Sequence, residues 1–261
     1  MRTIKSKDNS IYKAAVRLTR KKYRDETGLY LLEGIKPLQD AFSMGVGIRT
    51  VFLRDDTVTE ESFPSEKCIS LDEKLFARLS DTETSQGVIA VAEQKKLSLD
   101  EFAEAVSVGT GNIVVMDRLQ DPGNIGTIIR TAEAAGYRGI VMMTGSGDVY
   151  SPKVVRAAAG SLFRMPVIHA ADPREVSAIA KSLGKKLTVT CLEDAQSCFD
   201  ADLSENIALV IGNEGRGVSS QLLDLADMRV RIPMEGSIES LNAAVAAGIL
   251  MYQSQKKNNE R

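Results

Sequence analysis

From about residue 103 onward the chain alternates short apolar runs with longer amphipathic ones. NIVVMD (112–117), GIVMM (139–143), KLTVTCL (186–192), NIALVIG (206–212) and MRVRIPM (228–234) are rich in β-branched residues and predict strands. Helical spacing fills the gaps over 124–136, 152–160, 173–183, 219–225 and 240–254. Near-continuous apolar strands alternating with helices predict an α/β fold whose parallel sheet is covered on both faces.

The first ninety-odd residues predict a smaller α/β unit. Helices are expected over 11–24, 35–45 and 71–80, and strands over IRTVFLR (48–54) and GVIAVAE (87–93). EQKKLSLDE (93–101) is polar and poor in apolar positions, so a boundary falls there. The expected division is a domain over 1–95, a linker over 96–106 and a second domain over 107–261. No internal repeat interrupts this pattern.

Composition narrows the class. With 43% hydrophobic and 26% charged residues, the chain can bury a core and is not broadly disordered. No apolar run reaches the roughly 18–20 residues a bilayer span requires, and MRTIKSKDNS lacks the apolar centre of a secretory signal. The expected location is the cytoplasm, with no membrane partner. Cys68, Cys191 and Cys198 form no CxxC pair, and His169 is the single histidine, so neither a disulfide framework nor a metal site is expected. Net charge is −2, yet residues 1–24 hold nine Lys and Arg against one acid, Asp8. That segment reads equally as a solvated basic face or as a contact for RNA phosphates.

Three loops, DPGNIG, GNEGRG and PMEGSIESLN, carry the distinctive polar residues, and all fall between a predicted strand and a predicted helix. Ligands of such sheets bind at these turns. On a helix over 124–136, Ile125, Ile128, Ile129, Ala132 and Ala135 share one face, and Asn124 is placed to cap the N-terminus. Arg130 and Glu133 lie off that face one turn apart. They read either as a surface ion pair or as the edge of a site. GNEGRG holds Glu214 and Arg216 among three glycines, but no Gly-Lys-Ser/Thr follows, so it is not a P-loop. GSGDVY (145–150) is not a dinucleotide fingerprint either. In the helix after the third loop, Leu241, Ala244, Val245, Gly248, Ile249 and Tyr252 form one apolar stripe and Ala243, Ala246, Ala247 and Leu250 fill much of the rest. Such a helix needs covering twice, by its own domain and by a second subunit.

Taken together, NIGTIIRTAEAAG, LVIGNEGRGV and IPMEGSIESLNAAVAAGI, with YSPKVVRAAAGSLFRMPV between the first two, resemble the SpoU (TrmH) family of RNA ribose 2′-O-methyltransferases of the SPOUT superfamily. The resemblance spans essentially all of 110–255. YRDETGLYLLEGIKPLQDAF and TETSQGVIAVAE more loosely resemble the L30e-like substrate-binding domain often attached to these enzymes. Two positions depart from the family pattern: Ala243-Ala244 stands where Val-Ser is common, and Ala158 where a serine is frequent.

The resemblance implies a parallel-sheet domain closed by a deep trefoil knot, a homodimer, S-adenosyl-L-methionine as methyl donor and RNA as substrate. It places Gly212, Ile232 and Leu241 around the cofactor, and Asn124, Arg130, Glu214, Ser240 and Asn242 at the reaction site. Ribosomal RNA is favoured because of the N-terminal domain. Transfer RNA is the nearest variant, and a non-catalytic RNA-binding or ribosome-assembly factor of the same fold is the alternative of another class. Methyl transfer from a sulfonium requires no metal and no covalent enzyme intermediate. The ribose hydroxyl must be oriented and relieved of its proton as it attacks. The resemblance suggests Arg130 for that work, although a guanidinium that stays protonated suits positioning better than proton acceptance.

Overall fold

The computed structural model describes residues 2–57, 63–107, 111–237 and 240–259. In chain order the first elements are β1 (Arg2–Ile4), α1 (Ser10–Arg17), α2 (Lys21–Thr27), β2 (Leu29–Glu33), α3 (Ile35–Ser43), β3 (Ile48–Arg54), β4 (Cys68–Leu71), α4 (Glu73–Leu79) and β5 (Val88–Glu93). There follow α5 (Leu99–Val106), β6 (Ile113–Met116), α6 (Pro122–Ala134), β7 (Gly139–Met143), α7 (Pro152–Ala157), α8 (Ser161–Arg164), β8 (Val167–Ala170) and α9 (Pro173–Ser182). The chain closes with β9 (Lys186–Thr190), β10 (Gln196–Ser197), β11 (Ile207–Ile211), α10 (Ser220–Asp224), β12 (Met228–Arg231) and α11 (Ala243–Asn259).

These elements form two compact units, Met1–Lys95 with Asp148–Phe163, and Lys96–Gly147 with Arg164–Arg261. The first contains a five-stranded mixed sheet in the order β1-β4-β3-β5-β2, with β5 antiparallel to both neighbours. Tyr12, Ala15 and Leu18 of the first helical stretch and Leu75, Phe76 and Leu79 of α4 pack on Leu31, Phe52, Ile89 and Val91. Tyr12 Oη donates to the carbonyl of Leu75 at 2.9 Å and joins the two helices.

The helix expected over 11–24 is broken, because Arg20 is extended and starts α2 afresh. The break turns Arg24 inward, where Nη1 donates to Leu18 O at 2.6 Å and Nε to Asp148 Oδ2 at 2.7 Å. Arg24 is thus a buried ion-pair residue and leaves the basic face of residues 1–24. Segment 148–163 is held in this unit further by the Tyr30–Tyr150 ring pair, centroids 4.9 Å apart, and by an Arg156–Asp81 ion pair. At the end of β2, Glu33 gathers the 80–85 turn. Its Oε1 accepts from the hydroxyls of Ser80 (2.5 Å), Thr82 (2.7 Å) and Ser85 (2.6 Å), and its Oε2 from Asp81 N–H at 2.9 Å.

The second unit is built on a seven-stranded sheet, β10-β12-β9-β11-β6-β7-β8, in which every neighbouring pair is parallel. On one face Ile113, Val115, Val141, Val189 and Val210 meet Phe102 and Val106 of α5, Val176 and Ile179 of α9, and Leu222 of α10. The stretch expected as a linker over 96–106 therefore contributes a core helix. Ser98 closes a capping box with Glu101, and Phe102 and Val106 supply apolar positions that the polar flanks concealed. Val114, Met116, Ile140 and Met142 on the other face are equally buried, as are Ile125, Ile128 and Ile129 of α6 and Ala247, Leu250 and Met251 of α11. Helices α6 and α11 pack against each other. They run the same way, since Asn242 meets Asn124 near their starts and Gly248 lies beside Thr131.

Candidate functional site

The strand order reverses between β6 and β11. From β6 the chain steps to β7 and β8 on one side, and from β11 it steps past β9 to β12 on the other. The loop after β6 leads to α6, while the loop after β11 leads to α10 on the opposite face. The two loops part at the carboxyl edge of the sheet and open the crevice in which doubly wound sheets bind ligands. Because every strand is parallel, the loop after β12 leaves the same edge. Residues 238–239 of that third loop lie outside the described residues.

Asn124, Glu214 and Asn242 join the three loops. Glu214 Oε1 accepts from Asn124 Nδ2 and from Asp121 N–H, both at 3.1 Å. Its Oε2 accepts from Gln120 N–H at 3.3 Å and from Asn213 Nδ2 at 3.4 Å. Asn242 Nδ2 donates to Asn124 Oδ1 at 2.9 Å, and Asn242 Oδ1 caps α11 by accepting from Ala244 N–H at 2.9 Å. Asn124 thereby uses its amide nitrogen on one loop and its oxygen on another. Burial raises the pKa of Glu214, but its hydrogen bonds, that from Asn124 among them, outweigh this and hold the carboxyl below its ordinary value.

The GNEGRG loop is tied at both ends. Asn213 N–H and O pair with Gly217 at 3.0 and 2.9 Å, and Asn213 Oδ1 accepts from Gly215 and Arg216 N–H at 3.1 Å each. At the far end, Ser219 N–H donates to Asp117 Oδ2 at 2.6 Å, and Asp117 N–H donates to Ile211 O at 2.9 Å. Gly212 is required by space, since a Cβ there would lie 2.4 Å from Gly217 C and Val218 N.

Three sequence expectations are corrected. The cap of α6 is Asp121, whose carboxylate accepts from Asn124 N–H at 2.8 Å. Pro122 fills the first helical position, where its missing N–H costs nothing, and this frees the Asn124 side chain for the site. Glu133 ion-pairs with Arg164 and not with Arg130. The Arg130 side chain is exposed and has no hydrogen bond or ion pair among the described residues. The helix expected from Ser240 begins at Ala243, because Asn242 caps it. Ser240 and Leu241 precede the helix with exposed side chains, and Ile232 follows β12 partly buried. Asn124 bonds to both Glu214 and Asn242; Gly212, Ile232, Ser240 and Leu241 lie in the loops after β11 and β12, and Arg130 lies on α6 six residues beyond Asn124.

Asp117 and Asn213 were not among the expected site residues. An acid ending an apolar strand was the available signal for the first. Cys68 and Cys198 are buried and Cys191 is half-buried, and burial pushes each thiol above its ordinary value. His169 lies within β8 with its side chain exposed. Among the described residues, no group of three or more His, Cys, Asp and Glu is placed to hold a metal, and no helix is long and apolar enough to cross a membrane.

Residues 111–252 match the model of the SpoU rRNA Methylase family. The chain belongs to that family. Residues 9–90 match the MRM3-like substrate binding domain. This SpoU-family chain is 35% identical over 253 residues to the 23S rRNA (guanosine(2553)-2′-O)-methyltransferase RlmP of Bacillus subtilis, covering 97% of this chain and 98% of the relative. It is 33% identical to a 23S rRNA (uridine(2479)-2′-O)-methyltransferase of Streptomyces viridochromogenes, over 90% of this chain and 85% of the relative. Among solved structures, an AdoMet-bound rRNA methyltransferase from Sinorhizobium meliloti superposes with a TM-score of 0.86 at 31% identity, covering 98% of both chains.

Proposed function

We propose that the protein transfers the methyl group of S-adenosylmethionine to the 2′-hydroxyl of a ribose in ribosomal RNA. The observation that carries this reading is the Asn124–Glu214–Asn242 junction at the strand-order reversal, which draws three distant loops into one site. The residues present fit the donor. The Gly212 loop offers backbone at close quarters, and Ile232 and Leu241, leaving the same edge, offer aliphatic surface suited to an adenine face. The parallel starts of α6 and α11 direct two positive helix ends toward the negative groups of donor and substrate.

S-adenosylmethionine supplies an electrophilic methyl on a positively charged sulfur. The chain supplies placement. Arg130, exposed and with five N–H donors, donates to the ribose hydroxyl oxygen and the neighbouring phosphate. Asn124 is locked by Glu214 and Asn242, so the edge facing the substrate does not reorganise as the oxygen–carbon bond forms and the carbon–sulfur bond breaks. Alignment of this kind accounts for much of the acceleration available to a bimolecular transfer. The hydroxyl proton leaves to water.

The reading extends to a trefoil-knotted C-terminal segment, a cytoplasmic setting and a homodimer. Val245 and Tyr252 of α11, with Leu241 just before it, remain half-exposed at spacings of four and seven, on the side away from buried Ala247 and Met251. That stripe suits a second copy, and sedimentation of the intact protein should show a dimer that Val245→Glu splits. The activity itself is tested by incubating the protein with methyl-labelled donor and ribosomal RNA, then mapping ribose methylation by primer extension. Label found only on bases, or on no RNA, would refute the reading.

A further inference from the structure

The loop after β6 carries another arginine in an unusual pose. Arg118 has φ of +56°, in the left-handed region that glycine enters freely and an arginine does not. Three contacts aim its side chain. Its Nε donates to Asp117 Oδ1 at 2.9 Å, its carbonyl accepts from Asn213 Nδ2 at 2.9 Å, and its stem lies against Gly145, where a Cβ would stand 3.0 Å from Arg118 Cγ. Asp117 is wholly buried, whereas 36% of the Arg118 side chain is exposed. Neither Nη group has a partner among the described residues.

The neighbouring carboxylates are already committed. Asp117 is satisfied by Ser219 N–H and Arg118 Nε, Asp121 caps α6, and Glu214 holds Asn124 and the N–H groups of Gln120 and Asp121. None of these is left for the two Nη groups, and no other carboxylate among the described residues pairs with them.

We infer that Arg118 is a substrate-binding residue whose two Nη groups grip a phosphate of the RNA strand beside the target ribose. A guanidinium with its fork presented outward matches two phosphate oxygens. Arg118 also stands two positions before Gln120, whose N–H holds Glu214 at the junction. Asp117 alone accounts for a cation here, but that pairing uses one of five N–H donors and does not repay the strained backbone. The inference rests on the RNA-methylating reading above.

The test compares wild type with Arg118→Gly, which suits the left-handed backbone, and with the double variant Asp117→Asn/Arg118→Gly, which strands no buried charge. Ribosomal RNA binding is measured across a salt series, and S-adenosylmethionine binding by calorimetry. Both variants should bind RNA at least tenfold more weakly and show a salt slope shallower by about 0.7–0.9, the signature of one lost phosphate contact. Donor affinity of Arg118→Gly should stay within twofold. An unchanged slope, a parallel loss of donor affinity in Arg118→Gly, or wild-type RNA affinity in the double variant would overturn the inference. Wild-type protein that methylates no RNA would remove the underlying reading as well. Active wild type with an indifferent Arg118→Gly would remove only the role of Arg118.

Discussion

Asn242 and Asn124 stand 118 positions apart, yet the amide nitrogen of the first donates to the amide oxygen of the second at 2.9 Å. The same Asn242 caps α11 through its own oxygen. Asn242→Ala should cost about 1 kcal/mol of stability through the lost cap and lower methyl transfer at least tenfold. Asn242→Ser should restore the cap without reaching Asn124. Urea unfolding together with kcat/KM then separates the two roles; activity that recovers along with stability in the serine variant would show the bond to Asn124 to be idle.

Arg130→Ala removes an exposed guanidinium that supports nothing in the fold. Its Tm and S-adenosylmethionine affinity should match wild type, while kcat on RNA falls by two orders of magnitude or more. Turnover within a few-fold of wild type would assign the positioning work elsewhere.

Gly212→Ala drives a methyl into the backbone of Gly217 and Val218. The loop must shift, at a cost of about 1–3 kcal/mol, and donor affinity should weaken at least tenfold by calorimetry. Intact affinity would mean that this loop does not frame the cofactor.

Much of this was readable from the chain. Strands β6, β7, β9 and β11 announce themselves as β-branched apolar runs, and three polar loops mark the candidate site. What escaped has physical causes. β2 is LYLLE, composed mostly of strong helix formers, β1 is only three residues long, and β8 breaks its apolar run with His169. The capping of α6 by Asp121 was legible in Asp-Pro, since proline favours the first helical position, but Asn124 competes as a cap by residue type. The Glu133–Arg164 pair joins residues brought together by tertiary packing, which helical spacing cannot anticipate.

Glu33 makes stability depend on acidity in a defined sense. Burial raises its pKa, but the hydroxyls of Ser80, Ser85 and Thr82 and the Asp81 N–H outweigh burial and leave it below the ordinary value. A depressed carboxyl adds stability that is complete above the unfolded value of about 4.3 and disappears as pH falls through the folded one. Glu33→Gln should therefore be less stable than wild type by about 1–2 kcal/mol at pH 7, with the two urea midpoints converging as pH falls below the ordinary carboxylate value. Parallel midpoints across that range would contradict the assignment.

The allocation of Asp148–Phe163 to the first unit governs how the protein can be taken apart or recombined. The backbone passes between the units at 95–96, 147–148 and 163–164, so neither is a contiguous cassette. A fragment cut at residue 95 would carry away the surface on which Tyr150 rests and leave Asp148 without Arg24. Grafting a foreign recognition module onto this catalytic body therefore means transplanting the sixteen-residue insert along with residues 1–95, as one exchange.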